Sequence, residues 1–184
     1  MNAAREQILD RVRDALRTPA PKPSAPTGTA IFPAISDVPA RFRQEFTALR
    51  GEMLSSPEEL QRFLAGFQRI ASDGSLPGNA SVRQCELGVT GCDCLIAQTG
   101  SIVVSGARTL SVLPPVHLVI ACLDQFVPDL AAAVKFLRER YDGRWPRALS
   151  VITGPSRTAD IEKILVMGAH GPKRLVLYVA PALG

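Results

Sequence analysis

HLVIACLDQFVPDLAAAVKFLRERYDGRWPRALSVIT, residues 117–153, is the stretch on which the fold turns. HLVIACL, 117–123, is a continuous apolar run of strand length, the pattern of a strand buried on both faces. VPDLAAAVKFLRERY, 127–141, opens with Pro128 and continues at helical period. ALSVIT, 148–153, returns to a short apolar strand, ADIEKIL reads as a second helix, and RLVLYVA, 174–180, is a third strand. Strand, helix, strand, helix, strand predicts βαβ units feeding a largely parallel sheet flanked by helices, the α/β class.

Upstream of this stretch, CLIA and SIVVS are short β-type runs separated by QTG, which predicts a hairpin. Residues 39–49 place Phe42, Phe46 and Leu49 on one helical face, and residues 57–71 begin Pro-Glu-Glu, a favourable first turn. SDGSLPGNASVRQ, 72–84, is breaker-rich loop. At the N-terminus, Ile8, Leu9, Val12, Ala15 and Leu16 recur at helical spacing, so 3–16 reads as an amphipathic helix. TPAPKPSAPTGTAIFP, 18–33, has the composition of an extended linker. The chain therefore divides into a helix and Pro-rich linker, 1–35, and an α/β domain, 36–184. The helical arm either folds back or docks on a partner or a second copy, a route to a homo-oligomer.

At 184 residues and 46% hydrophobic composition, the chain can bury a substantial core. Its net charge of +4 comes from 21 Lys and Arg scattered among 17 Asp and Glu, and aromatics are 5%, which argues against a nucleic-acid partner. The N-terminal residues lack a signal-type apolar core, and no stretch approaches the ~20 apolar residues of a membrane span. The expectation is a cytoplasmic protein. Its four cysteines, at 85, 92, 94 and 122, lie mostly in apolar runs and read as reduced thiols. Cys92-x-Cys94 lacks zinc or cluster spacing, so no metal is expected.

Two stretches carry candidate chemistry. In TGPSRTADIEKIL, 153–165, Gly154, Ser156, Arg157 and Thr158 lie between a strand and an expected helix N-terminus, where free amides and the helix dipole favour an anion. Arg157 adds a fork suited to carboxylate or phosphate. The plainer alternative is a capped helix start, with Asp160 and Glu162 complementing the dipole. In ELGVTGCDCLIAQTGSIVVSG, 86–106, Thr90, Asp93, Gln98, Thr99 and Ser101, with glycines such as Gly100, form either one wall of a pocket or ordinary turns. Two histidines are candidates for structural roles; His170, in the glycine-flanked MGAHGPKR, is the better placed for proton transfer. His170 and Asp93 are the weak catalytic candidates.

VTGCDCLIAQTGSIVV (89–104), LSVLPPVHLVIA (110–121) and TGPSRTADIEKILVMGAHGPKRL (153–175), in this order, resemble the lactate-utilisation protein C family, the LUD domain. RFRQEFTALRGEM (41–53) is similar too. The resemblance implies a fold similar to the ribose-5-phosphate isomerase and CoA-transferase superfamily. It implies a role, with two partner proteins, one or more carrying iron–sulfur clusters, in oxidising L-lactate to pyruvate; this chain has no flavin motif or cluster-type cysteine set, so no cofactor is expected on it. Related folds bind phosphosugars or CoA, which makes a small anionic metabolite at 154–158 coherent. The alternatives are a metabolite-sensing or assembly module, and a sugar-phosphate isomerase or CoA transferase. Where the family usually has Glu-Thr-Gly-Thr, this chain has Gln98-Thr99-Gly100-Ser101, which counts against an acyl adduct at 98. The family pattern also implies a further strand and helix before Glu86, where this chain has only loop.

Overall fold

The computed structural model describes residues 2–17, 33–106, 108–159, 165–167 and 171–180. It separates into two compact units, 1–33 and 34–184. The first contains α1 (Asn2–Leu16), where the apolar spacing predicts a helix. The expected linker lies almost wholly outside the described residues.

In the second unit, α2 (Val38–Ala48) starts where Asp37 accepts a hydrogen bond from the Ala40 amide at 2.9 Å. β1 (Glu52–Leu54) follows, then α3 (Pro57–Ala65). The α3 start is closed reciprocally: Ser56 Oγ accepts from the Glu59 amide, and Glu59 Oε2 accepts from the Ser55 amide at 2.7 Å. The helix ends at Gly66, earlier than expected, and Ile70–Ser72 forms strand β2 instead of a last helical turn. Glu86 accepts from the Gln68 and Arg69 amides, which turns the chain out of the helix and sets β2 beside β3 (Leu87–Gly91).

β4 (Cys94–Ile96) and β5 (Ser101–Ser105) form the expected hairpin. After α4 (Arg108–Val112) comes β6 (Val116–Cys122), the apolar run read as doubly buried. β7 (Phe126–Val127) leads to α5 (Leu130–Arg140), capped by Asp129. β8 (Leu149–Ile152), β9 (Arg157–Ala159), β10 (Leu165–Met167) and β11 (Arg174–Ala180) complete the described elements.

Five strands form one parallel sheet in the order β1-β11-β6-β3-β2. The α/β class with a mostly parallel sheet flanked by helices is thus the observed one. A second sheet, β7-β4-β5-β8, is mixed. Leu87, Val89, Leu118 and Val176 pack on one face of the parallel sheet with Leu60 and Phe63 of α3. Val119, Leu175 and Leu177 pack on its other face with Leu95 and Ile102 of the second sheet and Phe42 and Phe46 of α2. Ala133 and Leu137 of α5 cover the far face of the second sheet. The layers run α3, parallel sheet, mixed sheet, α5.

Two expectations from the chain pattern are corrected. β6 and β8, read as strands of one sheet, lie in different sheets, because β8 pairs antiparallel with β5. A short apolar run specifies a strand but not its partner. The helix expected after residue 153 is replaced, in its described parts, by the antiparallel pair β9–β10. Gly154 takes φ +82°, and the Ser156 amide donates to the Pro172 carbonyl at 2.9 Å, so the chain leaves the turn extended.

Candidate functional site

Three hydroxyls meet in a line between the two stretches singled out above. Ser101 Oγ lies 2.7 Å from Thr99 Oγ1 and 2.9 Å from Thr153 Oγ1. Ser101 is buried at the start of β5, while Thr99 and Thr153 are exposed in the flanking turns. Each hydroxyl has one proton and two acceptor positions, so a line of three leaves hydrogen-bonding capacity at its outer ends.

The end of α2 brings the two turns together. Gly100, at φ +60°, lies so close beneath the helix that a Cβ there would come 2.5 Å from the Phe46 amide nitrogen. A Cβ on Gly154 would come 3.0 Å from the Leu49 carbonyl oxygen. Both positions combine a left-handed backbone with a close approach, so glycine is required twice over. Arg157 folds back from β9 until its Nη2 is 3.3 Å from where that Cβ would be. A guanidinium therefore stands beside the residue that follows Thr153.

This grouping contains Thr99, Gly100, Gly154 and Arg157 from the sequence-based candidates, and leaves others elsewhere. Ser156 is turned toward Gly171, in an open groove of about 530 Å³ that Gly154 also borders, with Arg108 and Ser150. Its amide is bonded to Pro172, and with β9 in place of a helix the dipole argument for this turn falls away. Thr158 lies in β9, but its side chain is outside the description, and His170 lies outside the described residues. Asp93 is at the opposite end of the β4–β5 hairpin.

Asp93 is 3% exposed and accepts a short hydrogen bond from the Tyr141 hydroxyl, which also meets Ser105 Oγ at 2.8 Å. Arg140 Nε is 3.6 Å from the same carboxylate oxygen. Burial, and then the bond to Asp93, raise the Tyr141 pKa. The group ties the end of α5 to the second sheet. The other carboxylate oxygen, Oδ2, is buried with no hydrogen-bond partner among the described residues.

The cysteines are placed by a change of sheet. Cys92 packs in the core between the sheets and Cys94 in the core beneath α5. An alternating strand would point them the same way, but Cys92 and Asp93 form the bend that carries the chain from β3 to β4. Burial pushes the Cys94 thiol up to about 12 and raises Cys92 further, so both are neutral thiols at pH 7. His117 is fully buried, its Nε2 2.9 Å from Thr90 Oγ1, and burial lowers its pKa to about 4. The residues missed in the sequence are Thr153 and Tyr141. A hydroxyl at a strand end before glycine is a weak signal for the first, and nothing local marks the second.

The LUD domain family model matches residues 79–179, more than half of the chain. The chain belongs to the LUD domain family. Among its relatives is a Lactate utilization protein C of Geobacillus sp., 35% identical over 102 residues, an alignment covering 52% of this chain and 42% of that protein. A Lactate utilization protein C of Deinococcus radiodurans is 33% identical over 106 residues, covering 55% and 49%. This LUD chain spans about half the length of the curated relatives it matches. A crystal structure of a DUF162 family protein from Deinococcus radiodurans covers 77% of this chain and 95% of its own, at TM-score 0.60 and 20% identity, which is a likeness of fold. No described helix is long and apolar enough to cross a membrane.

Proposed function

We propose that this LUD domain serves in lactate utilisation as one component of a multi-protein system, and that it binds a small anionic metabolite between the 99–101 and 153–157 turns. The role is supported by the names of its relatives. The binding reading is carried by one observation: the hydroxyl line Thr99–Ser101–Thr153 ends beside Gly154, over which the Arg157 guanidinium folds. A carboxylate or phosphate there would take a bidentate contact from Arg157 and hydrogen bonds from the outer hydroxyls. Ser156 and Thr158 flank Arg157 in the chain, and their part is secondary.

In this reading the redox chemistry of lactate oxidation belongs to partner proteins with iron–sulfur clusters, and this chain binds and presents the acid. Asp93 is engaged by Tyr141 and Arg140, which suits an anchor better than a general base. His170 is retained as the group to test for proton transfer.

Calorimetric titration of the full chain with L-lactate, pyruvate, ribose 5-phosphate and CoA tests the proposal. One of these is expected to bind saturably, with an affinity reduced at least about tenfold in Arg157→Ala and less in Thr153→Val. Binding of none, or binding that both variants leave intact, overturns the assignment. Turnover of L-lactate by the purified chain alone would overturn the division of labour.

A further inference from the structure

A second cavity, of about 380 Å³, lies outside the carboxyl ends of β1 and β11. Parallel sheets take ligands at this edge, because the strands end there and the chain departs to opposite faces. Here β1 leads to α3 on one face, while β6 leads to β7 of the second sheet on the other. The cavity wall draws on both faces: Leu54 and Tyr178 from the α3 side, Phe126 and Val179 from the α2 side. Its volume falls in the usual range for a bound small molecule, and its wall is largely apolar, with few polar groups to fix an orientation.

Among the described residues, the charge on that wall is Arg43 of α2. Its helix neighbours Arg41 and Glu45 are paired with each other at 2.8 Å, and among the described residues no ion pair involves Arg43. The acids beside wall residues Ser55 and Pro57 are Glu58 and Glu59 at the start of α3; Glu59 Oε2 accepts from the Ser55 amide, and Glu58 is engaged by Ser56. A cation at the edge of an apolar cavity calls for a ligand with one anionic end and an apolar body.

We infer that this cavity binds a monocarboxylic acid with a medium-length alkyl or aryl body, its carboxylate on Arg43 and its body between Leu54, Phe126 and Val179. Lactate, with three carbons, would leave most of such a space unfilled. None of the wall residues belongs to the hydroxyl line, so the site is separate from it and does not rest on it.

Titration of the full chain with octanoate and with octanol tests the inference. Octanoate is expected to bind saturably at one site, with octanol at least about tenfold weaker. Arg43→Ala should weaken octanoate by about tenfold. Leu123→Trp, at a wall position that is 54% exposed and tolerant of a larger side chain, should also weaken it by narrowing the cavity. Arg157→Ala should leave octanoate affinity unchanged. No saturable binding, octanol as tight as octanoate, or undiminished affinity in Arg43→Ala overturns the inference. Loss in Arg157→Ala also overturns it, by assigning the acid to the hydroxyl line.

Discussion

In the parallel sheet, β6 and β11 bury Leu118, Val119, Val176 and Leu177 almost completely, and the buried polar groups of β3 and β6 are Thr90 and His117, bonded to each other. In the mixed sheet, β5 alone presents Ser101 to the hydroxyl line at its start and Ser105 to Tyr141 at its end. The central strands of the parallel sheet are covered on both faces, so they are nearly all apolar and a buried polar side chain there must find its partner inside the sheet. The mixed sheet is shorter, ends in exposed turns and has β8 at its edge with Val151 54% exposed, so polar groups collect at its strand ends and reach solvent. Stability is concentrated in the first region and the candidate metabolite site in the second.

The comparison breaks first if the parallel sheet is not the stable part. Leu118→Ala, at a fully buried central position, should destabilise the chain by about 2–5 kcal/mol in urea unfolding. A cost near zero would remove the distinction between the sheets.

His117 sharpens the same point through pH. Burial places its folded pKa at about 4, below the ordinary 6.5, so the unfolded chain takes up the proton first as pH falls. Its contribution is complete above pH 6.5 and is lost as pH falls from 6.5 toward 4, a change on the order of 3 kcal/mol. Glu52, Glu58 and Glu86, whose pKa values are lowered chiefly by hydrogen bonds, add losses that set in only near their ordinary 4.5. Urea unfolding at pH 7, 5.5 and 4.5 should therefore show a decline in the native chain that is absent in His117→Gln.

The smallest effect is expected in the mixed sheet. Tyr141→Phe removes the hydrogen bond to the buried Asp93 carboxylate and should cost about 1.5–3 kcal/mol, with ligand affinity at the hydroxyl line unchanged. A change in that affinity would join two groups that lie at opposite ends of the hairpin, and would make the mixed sheet one functional unit.

Local pattern was sufficient where burial and period agree. The α2 and α5 helices, the β4–β5 hairpin and the doubly buried β6 were all legible, because each displays its own periodicity or a bounded apolar run. The family was legible as well, since three long motifs occur in order, although the matched region is only about half of the relatives' length. In the candidate site, Thr99, Gly100, Gly154 and Arg157 could be picked out as turn residues and a cation. Thr153 could not, because its partner Ser101 is 52 residues away.

What the sequence determined by itself was α2, the start of α3, α5, the β4–β5 hairpin and the strands β6, β8 and β11, and which family they belong to. Tertiary structure decided the rest: that β8 joins β5 and not β6, that ADIEKIL is flanked by a strand pair, and that Cys92 and Cys94 enter different cores. It also decided that the end of α2 presses the turns at Gly100 and Gly154 together. The physical reason is that an apolar run records how much of a strand is buried but not against what, and side-chain direction reverses wherever the chain bends between sheets.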